Sequence, residues 1–351
     1  GLTPLARAAA RANGVKPGTV SGVLVASSLG PADVAEIAMK AKGIALARGG
    51  VTAHAAIVAR SLGIPMVVGL GPDVLSVHDG AEVVLDGGAG VLFLQPEPAR
   101  VAAAQADGDL RRLARQNAVA RRLLPAQTKD GHRVTVLANA ASVGEVVEGL
   151  EQGAEGVGLL RTELLFLDAK AWPTRAAQAS FLALILAPLA GRVATVRLLD
   201  FGGDKTPPFL HGTASRGIEL LLESAEALKT QLAAIVDAGE KVKLRILVTM
   251  VTGPGQVRGV RQVLATVLDG RQSPDVGAMI ETPEAAHLAA EIAKESDFLS
   301  IGTNDLTQLV LGLDREQSKS APVTDVRVLR LIDATVRAGR AAAIPVDVCG
   351  E

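Results

Sequence analysis

The chain has 351 residues, more than one hydrophobic core ordinarily serves, so two or more units are expected, each with a core of its own. Lys and Arg total 36 against 37 Asp and Glu, and no run of like charge marks a nucleic acid or an anionic membrane as partner, which leaves a small molecule or a protein. A single cysteine, Cys349, excludes an internal disulfide and fits a reducing cytoplasm, and no stretch reads as a signal peptide or a membrane span.

From "GTVSGVLVASSL" (18 to 29) to "VLFLQP" (91 to 96), short Val/Leu runs alternate with Gly turns and Ala-rich helical stretches, the pattern of a compact α/β unit. Within it, "GGVTAHAAIVARSLGIPMVVG" (49 to 69) sets His54 behind Gly49 and Gly50 and ahead of an apolar helical run. A lone histidine in such a place is a core residue, a metal ligand or a nucleophile, and composition leaves all three open. Residues 97 to 124 hold good helix formers, many arginines and apolar positions on one face, which predicts a helix. It serves either as a linker or as a surface helix of one neighbour.

Beyond residue 132, strands recur with helices between them. The expected strands are 132 to 140, 156 to 163, 194 to 201, 243 to 251, 275 to 282, 297 to 303 and 344 to 351. A repeated βα unit builds an open doubly wound sheet or a (β/α)₈ barrel. At or just past the carboxyl end of nearly every strand stands a charged or reactive residue: Asn139, Arg161 and Glu163, Arg197 and Asp200, Glu281, Asn304 and Asp305, and Cys349. In a barrel such ends converge on one mouth, where barrel active sites lie, so the barrel is preferred.

Charge indicates what that mouth would take. Arg161, Arg197 and Arg216 offer forked donors and Lys205 a point charge, a set suited to a small anion carrying both phosphate and carboxylate. Glu281 and Asp305, with Asn304 beside them, make the hard oxygen site that Mg²⁺ prefers. The bland alternatives are a rim pair between Arg161 and Glu163, and a helix-capping role for Glu281 ahead of Thr-Pro.

Six ordered motifs, "GGVTAHAAIVARSLGIPMVVG", "GAEGVGLLRTELLF", "VRLLDFGGDKTPPF", "MIETPEAA", "SIGTNDLTQLVLGLDR" and "CGE", resemble the phosphoenolpyruvate-utilising enzymes along almost the whole chain. Among them "LDFGGDK" is most similar to enzyme I of the phosphoenolpyruvate:sugar phosphotransferase system. The resemblance implies a swivelling phosphohistidine domain over 1–96, including the tail of a helical carrier-docking subdomain, a helical linker over 97–124, and a phosphoenolpyruvate-binding TIM-type barrel over 125–351 whose last strand is missing.

It further implies that His54 carries the phosphoryl group, supported by Gly50 and Thr52. Arg161, Arg197, Lys205, Arg216, Asn304 and Arg315 would bind phosphoenolpyruvate, Glu281 and Asp305 would hold Mg²⁺, and Cys349 would protonate the enolate as pyruvate forms. The implied partner is a histidine phosphocarrier of the HPr type, and the implied assembly is a homodimer through the barrel in the complete protein. Two departures stand out: Ala53 occupies a position often Ser in relatives, and "ILVTMV" lacks a proline that often follows this strand. Both ends look cut. The alternatives are a non-catalytic module that senses phosphoenolpyruvate and Mg²⁺, and an ATP-linked relative such as phosphoenolpyruvate synthase or pyruvate phosphate dikinase.

Overall fold

A computed structural model describes residues 22–30, 33–34, 41–50, 55–56, 59, 63–202, 205–313 and 324–350. Thr52, His54 and Arg315 lie outside these residues, as do the first twenty-one. The chain divides into two compact units, Gly1–Ala118 and Val119–Glu351. Among the described residues no helix is long and apolar enough to cross a membrane.

The first unit contains a parallel sheet of β1 (Val23–Ala26), β2 (Gly43–Leu46) and β3 (Met66–Val67), in that order. All four residues of β2 are buried, as befits a central parallel strand covered on both faces. Ile44 and Leu46 pack there with Ala26, Val34, Ala55 and Ala59. A hairpin of β4 (Val83–Asp86) and β5 (Val91–Leu94) follows. Its turn is closed by Asp86, whose Oδ1 accepts from the N–H groups of Gly88 and Ala89, each at 2.9 Å. Helix α1 (Pro98–Arg121) opens on proline, whose fixed φ suits a first turn, and is exposed along most of its length.

The second unit begins with a short hairpin of β6 (Ala126–Gln127) and β7 (Arg133–Val134). The expected continuous strand over 132 to 140 is therefore broken. The turn over 128–132, closed by Thr128 N–H to the His132 carbonyl and by Gly131 at φ +87°, folds residues 133–134 back on 126–127. Only β8 (Ala138–Ala140) joins the large sheet.

From there the chain alternates: α2 (Val143–Glu151), β9 (Gly156–Leu160), α3 (Arg175–Leu186), β10 (Val193–Arg197), α4 (Gly217–Glu223) and α5 (Ala225–Ala238). Then come β11 (Lys243–Val248), α6 (Pro254–Val267), β12 (Asp275–Ile280), α7 (Pro283–His287) and α8 (Ala289–Ala293). The series ends with β13 (Phe298–Gly302), α9 (Thr303–Leu311), α10 (Val326–Ala342) and β14 (Val346–Cys349).

Strands β8 to β14 form one parallel sheet in sequence order, nearly closed into a barrel. A cavity of about 670 Å³ separates its two edge strands, lined by Leu137 and Asn139 on one side and Val346 and Val348 on the other. The main core lies between strands and helices, where Leu160, Val196, Ile246, Val276 and Ile301 meet Leu182, Leu228 and Val257. Inside the barrel a smaller cluster of Leu159, Leu247, Met279 and Phe298 packs beside Cys349. Gly277 makes room for Phe298, since a Cβ there would stand 2.5 Å from its ring. Toward the amino ends of the strands, Arg245 lies 3.5 Å over the same ring and 2.9 Å from Asp347.

Candidate active site at the barrel mouth

The residues expected at strand ends stand there. Arg161 follows β9, Arg197 closes β10, Glu281 follows β12, Asn304 and Asp305 lie in the first turn of α9, and Cys349 closes β14. The cations do not stand free. Arg197 is 4% exposed, and its Nη2 donates to Glu163 Oε1 at 2.5 Å with Asp200 Oδ2 at 3.5 Å. Lys205 Nζ lies 2.9 Å from Asp200 Oδ2 and 3.3 Å from Glu163 Oε1.

Burial works against the charge of Arg197, but Glu163 and Asp200 outweigh it and hold the proton more firmly than usual. Burial likewise pushes Asp200 up, and the opposing charges of Arg197 and Lys205 bring it below the ordinary carboxylate range. Gly202 is essential to this corner: at φ +130° its missing Cβ would stand 2.4 Å from the Cβ of Arg216.

Glu163 thus answers the expected rim pair differently. Fully buried, it pairs with Arg197 and Lys205. Behind it, Thr162 donates to the Arg197 carbonyl at 2.9 Å, while Gln231 of α5 donates to the Thr162 hydroxyl and accepts the Leu199 N–H at 3.0 Å. This buried chain ties the ends of β9 and β10 together, and nothing in the local sequence of Gln231 signals it.

Glu281 occupies a second corner. Its Oε1 accepts from Thr249 Oγ1 at 2.9 Å and from the Met250 N–H at 2.6 Å. The helix cap anticipated as an alternative belongs to Thr282, whose side chain accepts from Ala285 N–H, with Pro283 opening α7. Met250 holds a left-handed conformation at φ +52°, and its Sδ accepts from Arg216 Nη2 at 2.9 Å. A bulky residue at positive φ is strained, and such strain persists where surrounding contacts enforce it. Here those contacts join Glu281 to Arg216.

Burial, then the negative charge of Asp200, raises Glu281 to about 7. Its Oε2 is buried and has no hydrogen-bond partner. Gly302, at the start of α9, allows this close packing, since a Cβ there would stand 2.8 Å from Met279 Cε, 2.9 Å from Glu281 Cβ and 3.2 Å from this oxygen. An unpartnered carboxylate oxygen with Asp305 near enough for its charge to be felt fits a divalent cation. Among the described residues no group of three His, Cys, Asp or Glu side chains is arranged to hold a metal by itself, so a cation bound by this pair needs oxygens from elsewhere.

Cys349 is a free thiol, its Sγ 3.5 Å from the Ile301 carbonyl and 4.0 Å from Ser300 Oγ. Burial pushes its proton affinity up, Ser300 opposes this, and Glu281 adds to the rise. The thiol therefore keeps its proton at neutral pH and can give it.

Two family descriptions match the chain: "PEP-utilising enzyme, PEP-binding domain" over residues 115–351, and "PEP-utilising enzyme, mobile domain" over 18–90. The chain is 41% identical over 345 residues to a multiphosphoryl transfer protein of Rhodobacter capsulatus, covering 95% of this chain and 42% of that protein. It is 37% identical over 353 residues to a phosphoenolpyruvate-protein phosphotransferase of Haloferax volcanii, with 94% and 60% covered. A protein of the same name from Bacillus subtilis is 33% identical over 350 residues, with 94% and 61% covered. The chain thus spans between two fifths and three fifths of the length of these relatives.

Proposed function

The chain belongs to the phosphoenolpyruvate-utilising enzymes, and from that premise we propose that it moves the phosphoryl group of phosphoenolpyruvate to its own His54, releases pyruvate, and passes the group to a histidine phosphocarrier of the HPr type. The observation that carries this reading is the meeting of Arg197, Glu281 and Cys349 at one mouth, where Cys349 feels the charges of Glu281 and Arg197, and Arg197 that of Glu281. That set holds a cation for the substrate, a carboxylate for a metal and a protonated acid.

In the proposed step an unprotonated imidazole nitrogen of His54 forms a bond to phosphorus as the bond from phosphorus to the enol oxygen breaks, leaving the enolate of pyruvate. Such a transfer needs position and compensation of charge more than covalent help. Arg161, Arg197 and Arg216 clamp the phosphate and carboxylate, Lys205 adds charge to the phosphate, Asn304 fixes the substrate, and Arg315 neutralises the transferring group. The enolate carbon then takes a proton from the thiol of Cys349, whose raised proton affinity keeps it loaded. Glu281 and Asp305 would hold Mg²⁺, which supplies Lewis-acid compensation to the phosphate oxygens when bound. Gly50 and Thr52 support the phosphohistidine, and the reducing cytoplasm suits the free thiol.

The four cations of the mouth, Arg161, Arg197, Lys205 and Arg216, are matched by four carboxylates, Glu163, Asp200, Glu281 and Asp305, among the described residues. This near balance supports a bound cation as part of the charge compensation for a multiply charged anion.

Radiolabelled phosphoenolpyruvate tests the reading. Label is expected on the protein in an acid-labile, base-stable form and absent from His54→Ala, which still binds phosphoenolpyruvate. Labelling of His54→Ala at the rate of the unaltered protein would refute the assignment.

A further inference from the structure

Resting on the reading of Glu281 as a metal ligand, we propose that Thr249 determines which divalent cation the barrel accepts, by restricting Glu281 to coordination through one oxygen. The two oxygens of that carboxylate are treated unequally. Oε1 takes two donors, the Thr249 hydroxyl at 2.9 Å and the Met250 N–H at 2.6 Å, enough to occupy both of its in-plane lone pairs. Oε2 takes none. It lies against Gly302, 3.2 Å from where a Cβ there would stand, at the start of the helix that bears Asp305.

The carboxylate cannot readily turn to offer both oxygens. Glu281 and Thr249 are fully buried, so neither can exchange its partner for water. Rotation toward a two-oxygen grip would break the hydroxyl bond and leave a buried donor unpaired. The Met250 N–H is held in place by the left-handed turn after β11 and by the Arg216 contact at its sulfur.

Cations differ in what they ask of such a group. Mg²⁺ and similarly small ions take six ligands in a tight octahedron and accept single carboxylate oxygens, whereas Ca²⁺ takes six to eight and gains from two-oxygen carboxylates. A carboxylate pinned by one oxygen therefore favours the smaller ions. Thr249 is the side-chain part of that pin, and the backbone N–H is the part that no ordinary substitution removes. Thr249 thus acts through Glu281 as a positioning residue and touches neither metal nor substrate.

The test uses Mn²⁺ alone as probe, titrated into the metal-free full chain by electron paramagnetic resonance of the free ion, with Ca²⁺ as competitor. Thr249→Val keeps the shape and removes the hydroxyl; Thr249→Ser keeps the hydroxyl; Thr249→Ala serves if valine does not fit. Loss of the hydroxyl is expected to weaken Mn²⁺ binding about fivefold and to shift the Mn²⁺-to-Ca²⁺ preference toward Ca²⁺ by about tenfold, with Thr249→Ser within about twofold of the unaltered chain. A merely structural role would weaken both ions alike and leave the preference unmoved.

An unchanged preference in Thr249→Val and Thr249→Ala, in chains where Glu281→Gln loses Mn²⁺, overturns the proposal and leaves Glu281 a ligand. If Glu281→Gln binds Mn²⁺ as the unaltered chain does, the ligand reading fails and takes this proposal with it.

Discussion

At the amino ends of the barrel strands, Arg245 lies over the Phe298 ring and against Asp347; at the carboxyl ends, Arg197 lies against Glu163 and Asp200. Both arginines point into the barrel and both are paired. They differ in what surrounds the pair. Below, an aromatic face and the apolar cluster of Leu159, Leu247 and Met279 close the interior, and the arginine's charge is answered by a ring and one carboxylate. Above, the pair is one member of a larger set of charges that includes Lys205, Glu281 and Asp305. Buried polar atoms without a hydrogen bond occur at both ends: Arg245 Nη2 and Asp347 Oδ2 below, which face each other as an ion pair, and Glu163 Oε2, Glu281 Oε2, Arg161 Nε and Arg197 Nε above. Such atoms are costly. The lower two are compensated within one closed pair, whereas the upper four belong to the wider cluster proposed to take the substrate.

That contrast breaks first at Cys349. Cys349→Ala removes the acid and little volume, so pyruvate formation is expected to fall by about 10²- to 10⁴-fold with phosphoenolpyruvate binding retained, as read by steady-state rates beside equilibrium binding. Stereochemistry sharpens the result: in deuterated water a tritium-marked substrate should give a chiral methyl group in pyruvate from the intact chain. A racemic product would mean that solvent, not the thiol, supplies the proton.

Next comes Arg197→Met, which leaves the fully buried Glu163 with Lys205 as its one cation. A loss of about 3 to 5 kcal/mol in stability is expected, together with loss of phosphoenolpyruvate binding. Arg245→Met at the lower end should cost less, about 2 to 3 kcal/mol in denaturant unfolding, because methionine can still cover the Phe298 ring. Its decisive readout is binding, which should stay within a few-fold. Equal damage to binding by both substitutions would erase the distinction between the two ends.

The smallest effect is in pH. The metal-free protein holds Glu281 raised to about 7, above its value in an unfolded chain. The group therefore binds its proton more tightly folded than unfolded: its contribution is fully present below the unfolded value near 4.5 and is lost as pH rises through about 7. Melting temperature without metal should fall as pH rises across that window, and Glu281→Gln should flatten the trend. Mg²⁺ should flatten it too. A metal-free protein that gains stability over the same window, with the gain lost in Glu281→Gln, would reverse the assigned sign.

Much of this arrangement was legible before any coordinates, because the reactive residues lie at the ends of apolar runs and a parallel barrel brings such ends together. Arg161, Arg197, Glu281, Asp305 and Cys349 all fall where the spacing of the runs puts them. Their pairing was not legible. The cations look like an excess when read along the chain, but Glu163 and Asp200 neutralise Arg197 and Lys205 through contacts that no local pattern encodes.

Thr249 and Gln231 stayed invisible for a related reason. A threonine at a strand end and a glutamine in a helix have ordinary local roles, and only the register of β11 against β12, or of α5 against the strand ends, makes them partners of the site. The run at 132 to 140 shows the limit from the other side: alternation reports a strand but not its partner, and a tight turn gave its first part to a local hairpin.

The chain carries one cysteine, and it stands inside the barrel among the groups just described. Any thiol-directed reagent therefore reports from a single place. Alkylation should be slow at neutral pH, since the thiolate is the reacting form and burial disfavours it, and should quicken as pH rises. A molecule seated against Ser300 and Glu281 would shield the sulfur. Mass spectrometry of alkylated protein would then count occupied mouths directly, in a crude mixture and without turnover.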